Sequence, residues 1–171
     1  MKASLAAALV LALAVAQPAA AAGYDVLLPL LVDLPGWEAE PAQGAEGPAM
    51  GSQAITAFRT YGSGARALQA NVLVGALAGM SWLRDYTEGY RIESPKGVAE
   101  VRRIRGFLVF TSFEKDGTSG GIVVLLETGA EKPERGAVLA ISFEGLGLTE
   151  ALSVAQRFDW AAIKAEVARI K

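Results

Sequence analysis

The stretch "GFLVFTSFEKDGTSGGIVVLLE", residues 106–127, decides how this chain folds. Its arms, Phe107–Phe113 and Gly121–Glu127, are β-branched and aromatic, a composition that favours strand. Between them "KDGTSGG", Lys115 to Gly121, offers glycines and a lysine, the ingredients of a phosphate-cradling loop. The order of residues argues against that use. A phosphate loop reads GxxxxGK[ST] between a strand and a helix, with the lysine after the glycines and the helix amino end facing the phosphates. Here Lys115 precedes the glycines, and the "IVVLL" that follows is β-branched and too short for a helix. Asp116-Gly117 is a favoured turn pair because glycine accepts a positive φ at no steric cost. The stretch therefore reads as a β-hairpin.

The flanks extend that reading. "GAVLAISFE" (136–144) supplies a third strand, so an antiparallel meander is expected. "GLTEALSVAQRFDWAAIKAEVARIK" (147–171) has helical periodicity, with Thr149 as the expected N-cap and Glu150 placed to complement the helix dipole. The apolar stripe slips phase between Phe158 and Trp160, which predicts a kink or a second helix capped by Asp159. Upstream, "QAITAFRTYGSGARALQANVLVGA" (53–76) alternates with period two and predicts a hairpin turning at Gly62-Ser63-Gly64. "LAGMSWLRDYTEG" (77–89) changes to helical spacing, and a short middle helix closed by Gly89 is expected. "PAQGAEGPAMGS" (41–52) lacks periodicity and reads as a surface loop. Tyr24–Val32 is apolar and β-leaning, interrupted by Pro29, with Trp37 packing beyond the Pro35-Gly36 turn. The fold class expected is α+β: an antiparallel sheet, hairpin plus meander, packed against a short middle helix and C-terminal helices.

Residues 1–22 read as an address. Lys2 precedes an apolar run, Leu5–Ala16, and Ala20 and Ala22 occupy the −3 and −1 positions of a cut before Gly23. The run is shorter than the roughly 20 residues a spanning helix needs. Residues 23–171 are then expected to form one domain, periplasmic or secreted, with no transmembrane segment after cleavage. The formal net charge of −2 gives no global attraction to nucleic acid.

Two absences restrict the chemistry. The chain has no cysteine and no histidine. Disulfides, thiolate nucleophiles and zinc–thiolate sites are excluded, as are Ser–His–Asp, Cys–His and HExxH catalysis. No cofactor or metal is implied. Carboxylate chemistry stays open through Glu38 and Glu40, Asp85 and Glu88, and Glu114 and Asp116. Two suitably spaced carboxylates can hydrolyse a glycoside, and such a hydrolase acting on an envelope sugar or polymer is one reading. Solvated loop acids are the other.

"NVLVGALAGMSW" (71–82) combines small residues with Met80 and Trp82, which could line an apolar pocket or serve tight strand-to-helix packing. "RRIR" (102–105) is the basic cluster. On a continuous strand Arg103 and Arg105 would share one face and Arg102 the other, forming either an anion site or a charged edge that blocks stray pairing. The ligand-binding candidates are thus Met80, Trp82, Arg103 and Arg105. The expected role is a non-enzymatic module that binds a partner protein or a small apolar ligand.

The strand ending in "VF", the hairpin, "AVLAISFEG" and "LTEALSVAQRFDWAAIK" resemble the closing portion of small exported bacterial proteins. Their order also resembles the end of the PsbP-like α/β/α sandwich. The resemblance covers residues 98–170 and implies an α+β arrangement with no catalytic residue attached.

Overall fold

The computed structural model describes residues 23–49, 52–75, 87–115, 117–127 and 136–170. Residues 1–22, read above as a leader, lie outside them, as do Met80, Trp82, Asp85, Asp116 and most of the expected middle helix. Among the described residues nine strands form one antiparallel sheet: β1 (Glu38–Ala39), β2 (Gln43–Ala49), β3 (Ser52–Ser63), β4 (Arg66–Val74), β5 (Arg91–Ser94), β6 (Gly97–Ile104), β7 (Phe107–Glu114), β8 (Ser119–Glu127) and β9 (Ala137–Glu144). The spatial order is β1-β3-β4-β9-β8-β7-β6-β5, with β2 also on the outer side of β3. Two meanders, β2–β4 and β5–β9, meet where β4 pairs with β9. Helices α1 (Leu148–Ala155) and α2 (Trp160–Arg169) follow and pack on β8 and β9.

The hairpin of residues 106–127 forms as its sequence demands. β7 pairs with β8 from Val109↔Val124 to Phe113↔Gly120, and Gly117 turns with φ 74°. The meander is longer than the sequence suggested, because β5 and β6 precede it. β3 and β4 form the expected hairpin, its tip at Gly64-Ala65 rather than Gly62–Gly64. The reading of 41–52 as a loop is corrected: Gln43–Ala49 pairs residue for residue with β3. Its glycines and Pro48 are tolerated because the strand is at an edge, where a missing N–H breaks no ladder. Tyr24–Val32 is corrected as well, to turns around a 3-10 segment at Leu28–Leu30 with Pro29 in its first turn. Its apolar residues are still used, since Leu27, Leu31 and Leu34 are buried.

At the C-terminus the phase slip is real. The two helices are separate, and Asp159 caps α2 by accepting from the Ala162 N–H at 3.0 Å. Thr149 is not the cap of α1. Gly147 holds that position in an extended conformation with no side-chain cap, and Thr149 lies in the first turn with Glu150.

The core lies between the helices and one face of the sheet. Alternation sends Leu68, Ala70, Val72 and Val74 of β4, and Leu139, Ile141 and Phe143 of β9, toward the helices, all buried. The junction between α1 and α2 is pinned by aromatic contacts at two distant strands. Phe158 meets Tyr61 of β3 edge-on at 6.0 Å, and Trp160 meets Phe107 of β7 at 5.8 Å. The indole N–H of Trp160 donates to the Ala155 carbonyl at 2.9 Å, so its burial strands no donor.

Candidate functional site

The sheet's two faces are built from different side chains. On the helix side, Arg59 and Tyr61 of β3 reach past the core to the N-terminal segment. Arg59 donates to the Leu31 carbonyl at 2.6 Å, the Glu40 carbonyl at 2.7 Å and the Asp33 carboxylate at 2.6 Å. The Tyr61 hydroxyl donates to the Val32 carbonyl at 3.0 Å. Burial pushes the Tyr61 hydroxyl up to about 12, while the Arg59 guanidinium pulls it the other way. This cluster fastens the segment that covers β3 and β4. All its directed groups are engaged, so it reads as structure.

The far face carries two adjoining cavities. Ladder registers place Thr60, Gln69, Ser142, Gly121, Ser112, Ala99 and Ile92 in one row across seven strands. Five of the seven are small or hydroxyl-bearing. The next row toward the β7–β8 turn continues with Ala67, Glu144 and Ser119, then Glu114, Gly97 and Ser94 on the neighbouring strands. Short side chains leave space, and two cavities open over these rows. One of about 410 Å³ lies over β3, β4, β9 and β8, and one of about 340 Å³ over β8, β7, β6 and β5. Both are bounded by Glu114 and Gly120, so together they form one trough across the sheet.

Toward the opposite end the same face turns apolar. The row Asn71–Ala140–Val123–Phe110–Val101 and the row Leu73–Val138–Leu125 follow in register. Val101 and Val138 are only 3% exposed. The trough is thus bounded by a buried apolar band on one side and by open turns on the other.

The predicted site residues are dispersed. Arg103 faces the far side and pairs with Glu88 at 3.0 Å. Arg105 does not share its face. β6 ends at Ile104, and Arg105-Gly106 form a two-residue turn in which both have positive φ, 50° and 84°. That turn breaks the alternation and sends Arg105 to the helix side, where it donates to the Gln156 carbonyl at 2.8 Å and lies 5.9 Å from the Trp160 ring centre. Arg102, expected on the opposite face from Arg105, lines a helix-side cavity together with it. Met80 and Trp82 are outside the described residues.

Of the acids, Glu38 sits on β1 and Glu88 is taken by Arg103. Glu114 and Glu144 were not paired in the sequence, yet the ladder brings both to the larger cavity. They are thirty positions apart, and only the β7–β8 and β8–β9 registers together join them. Among the described residues no group of three or more acids could hold a metal ion, and no helix is long and apolar enough to cross a membrane. Compared with family models, curated proteins and solved structures, the chain matches none.

Proposed function

We propose that the protein is a non-catalytic binding module whose small, flat, largely apolar ligand lies in the far-face trough. The observation that carries this reading is the seven-strand row of short side chains. A sheet face normally fills itself with β-branched and aromatic residues, and here it does so only above the row. The two cavities have the size of ordinary ligand sites. Serine, threonine and glutamine groups along the wall would fix polar atoms at the ligand's rim.

The test is to fill the trough. A Cβ at Gly121 would meet only Ser112 Oγ at 3.6 Å and the Ile141 carbonyl at 3.8 Å, ordinary contacts. Gly121→Val should therefore fold normally and lose any small molecule that native mass spectrometry finds on the wild type. Retention of that molecule by the variant would overturn the reading.

A second reading has one observation behind it. Glu114 and Glu144 border the same cavity, and a pair of carboxylates is the minimum for glycoside hydrolysis. Under it, Glu114→Gln or Glu144→Gln would abolish turnover of an envelope oligosaccharide. Under the binding reading neither variant has a turnover to lose.

Export fits the leader of residues 1–22, and one contact supports the cut before Gly23. The Gly23 N–H donates to Glu46 Oε2 at 2.6 Å. Cleavage there would place the new ammonium group on that carboxylate, fastening the freed end to β2. An intact mass that includes the leader in exported protein would exclude the cut.

A further inference from the structure

We infer that the groove between α1 and the β6–β7 turn is a binding site for a phosphate group, separate from the trough. The helices pack on β8 and β9, and a cavity opens between α1 and the end of β6. Three arginines from three different segments line it: Arg102 from β6, Arg105 from the turn and Arg157 from the turn after α1. They line a cavity of about 550 Å³, with the hydroxyl-bearing Thr149 and Ser153 along the α1 wall and Leu152 between them. Thr149 to Ala155 is six helical steps, about 9 Å, with Arg157 in the turn beyond, which leaves room for a phosphate at the arginine end and an apolar body against Leu152.

Each arginine is differently prepared. Arg102 is oriented by Glu100, whose other oxygen is taken by Arg91, at 2.6 and 3.1 Å. Arg105 is fixed by the Gln156 carbonyl and the Trp160 ring. It does so from a left-handed backbone, a conformation unfavourable for a non-glycine residue. Arg157 makes no side-chain hydrogen bond or ion pair among the described residues. Glu100 offsets part of this charge but is shared with Arg91, so the groove stays cationic. Guanidinium forks match the oxygen spacing of phosphate, and a dianion uses several cations better than a single carboxylate does. The groups are exposed, so binding is salt-sensitive.

The test titrates the purified protein with inorganic phosphate at constant ionic strength and follows the arginine Nε–Hε resonances by NMR. The resonances of Arg102, Arg105 and Arg157 should move together. Arg157→Gln, which breaks no contact among the described residues, should weaken binding about tenfold. Arg105→Asn keeps a residue that tolerates positive φ and should weaken it as well, with the fold intact. Arg169→Gln, at the far end of α2, should change nothing. Three results would each overturn the site: unmoved resonances up to tens of millimolar, equal movement of Arg169, or wild-type affinity in Arg157→Gln. Vesicles identify the source of the phosphate. Co-sedimentation with phosphatidylglycerol but not phosphatidylcholine, lost in Arg157→Gln, assigns a lipid headgroup. Phosphate binding without co-sedimentation assigns a soluble ester. Gly121→Val fills the trough alone and should leave phosphate binding unchanged, which keeps the two sites' failures distinguishable.

Discussion

The helix-side face of the sheet and its far face share every strand, yet they are organised for different ends. The helix side places its largest residues (Tyr61, Phe143, Leu68) where they are almost fully buried. Its charged groups near the N-terminal segment are engaged in short hydrogen bonds. The far face, in its lower rows, places alanine, serine and glycine at matching positions of the same strands. One strand therefore serves stability with one alternating set of residues and leaves a cavity with the other. Stability and vacancy are separable here by one residue of register, and substitutions on the two faces should behave as if made in different proteins.

The largest effect should come from Phe158→Ala. The residue is fully buried and holds the α1–α2 junction against Tyr61. Truncating such a phenylalanine costs about 3–5 kcal/mol. Urea unfolding should show that loss. A cost under about 1 kcal/mol would mean the junction is not part of the cooperative core.

Next comes Arg59→Ala. Its side chain is 17% exposed and donates to two backbone carbonyls and one carboxylate. Removing it leaves those acceptors without their donor and frees the segment over β3, for an expected loss of about 2–3 kcal/mol. Hydrogen exchange should locate the loosening at residues 27–34. Exchange raised uniformly over the sheet would argue against a local clamp.

Tyr61→Phe sharpens the contrast through pH. The hydroxyl's value rises from 10.0 to about 12 because burial disfavours the phenolate. Between these values the native state keeps a proton that the unfolded chain releases. Its contribution is therefore complete below pH 10 and is lost as pH rises toward 12. The two-unit difference corresponds to about 2–3 kcal/mol. The wild type should lose that much more stability than Tyr61→Phe across the window. Equal slopes would show that the hydroxyl titrates freely in the folded protein.

The faces also differ in how much of them the sequence reveals. The helix side is legible because it follows period: alternation in β4 and β9, a 3.6-residue stripe in α1 and α2, and a phase slip that marks Asp159 as a cap. β2 is not legible, since its glycines and Pro48 carry turn chemistry and only its edge position makes strand permissible. Strand alternation extended through the β6–β7 turn puts Arg105 on the wrong face, and no pattern warns that an arginine will take positive φ. The trough is the least legible part. Ser112, Gly121 and Ser142 are unremarkable where they stand in the chain, and only the β7–β8–β9 register sets them side by side. Period predicts which way a residue points. It does not predict which residues from other strands will point beside it.

The smallest effect on stability should be the most informative about the trough. Gly121 lies at the centre of the row, in a strand interior where glycine is unfavourable by roughly 0.5–1 kcal/mol. Its added Cβ finds nothing closer than 3.6 Å. Replacement by valine should thus leave the fold intact and raise stability by up to that amount, as β-branched residues suit a pleated surface. Its neighbour Gly120 supplies the control on the other face. There a Cβ would lie 2.8 Å from the Phe143 ring and collide with the Ser112 carbonyl, so Gly120→Val should be strongly destabilising. Adjacent positions with opposite responses would establish that Gly120 is required by packing and Gly121 is not. If Gly121→Val proved as damaging as Gly120→Val, the space above the row would be filled by the folded chain itself, and a trough kept open for a ligand would have no basis.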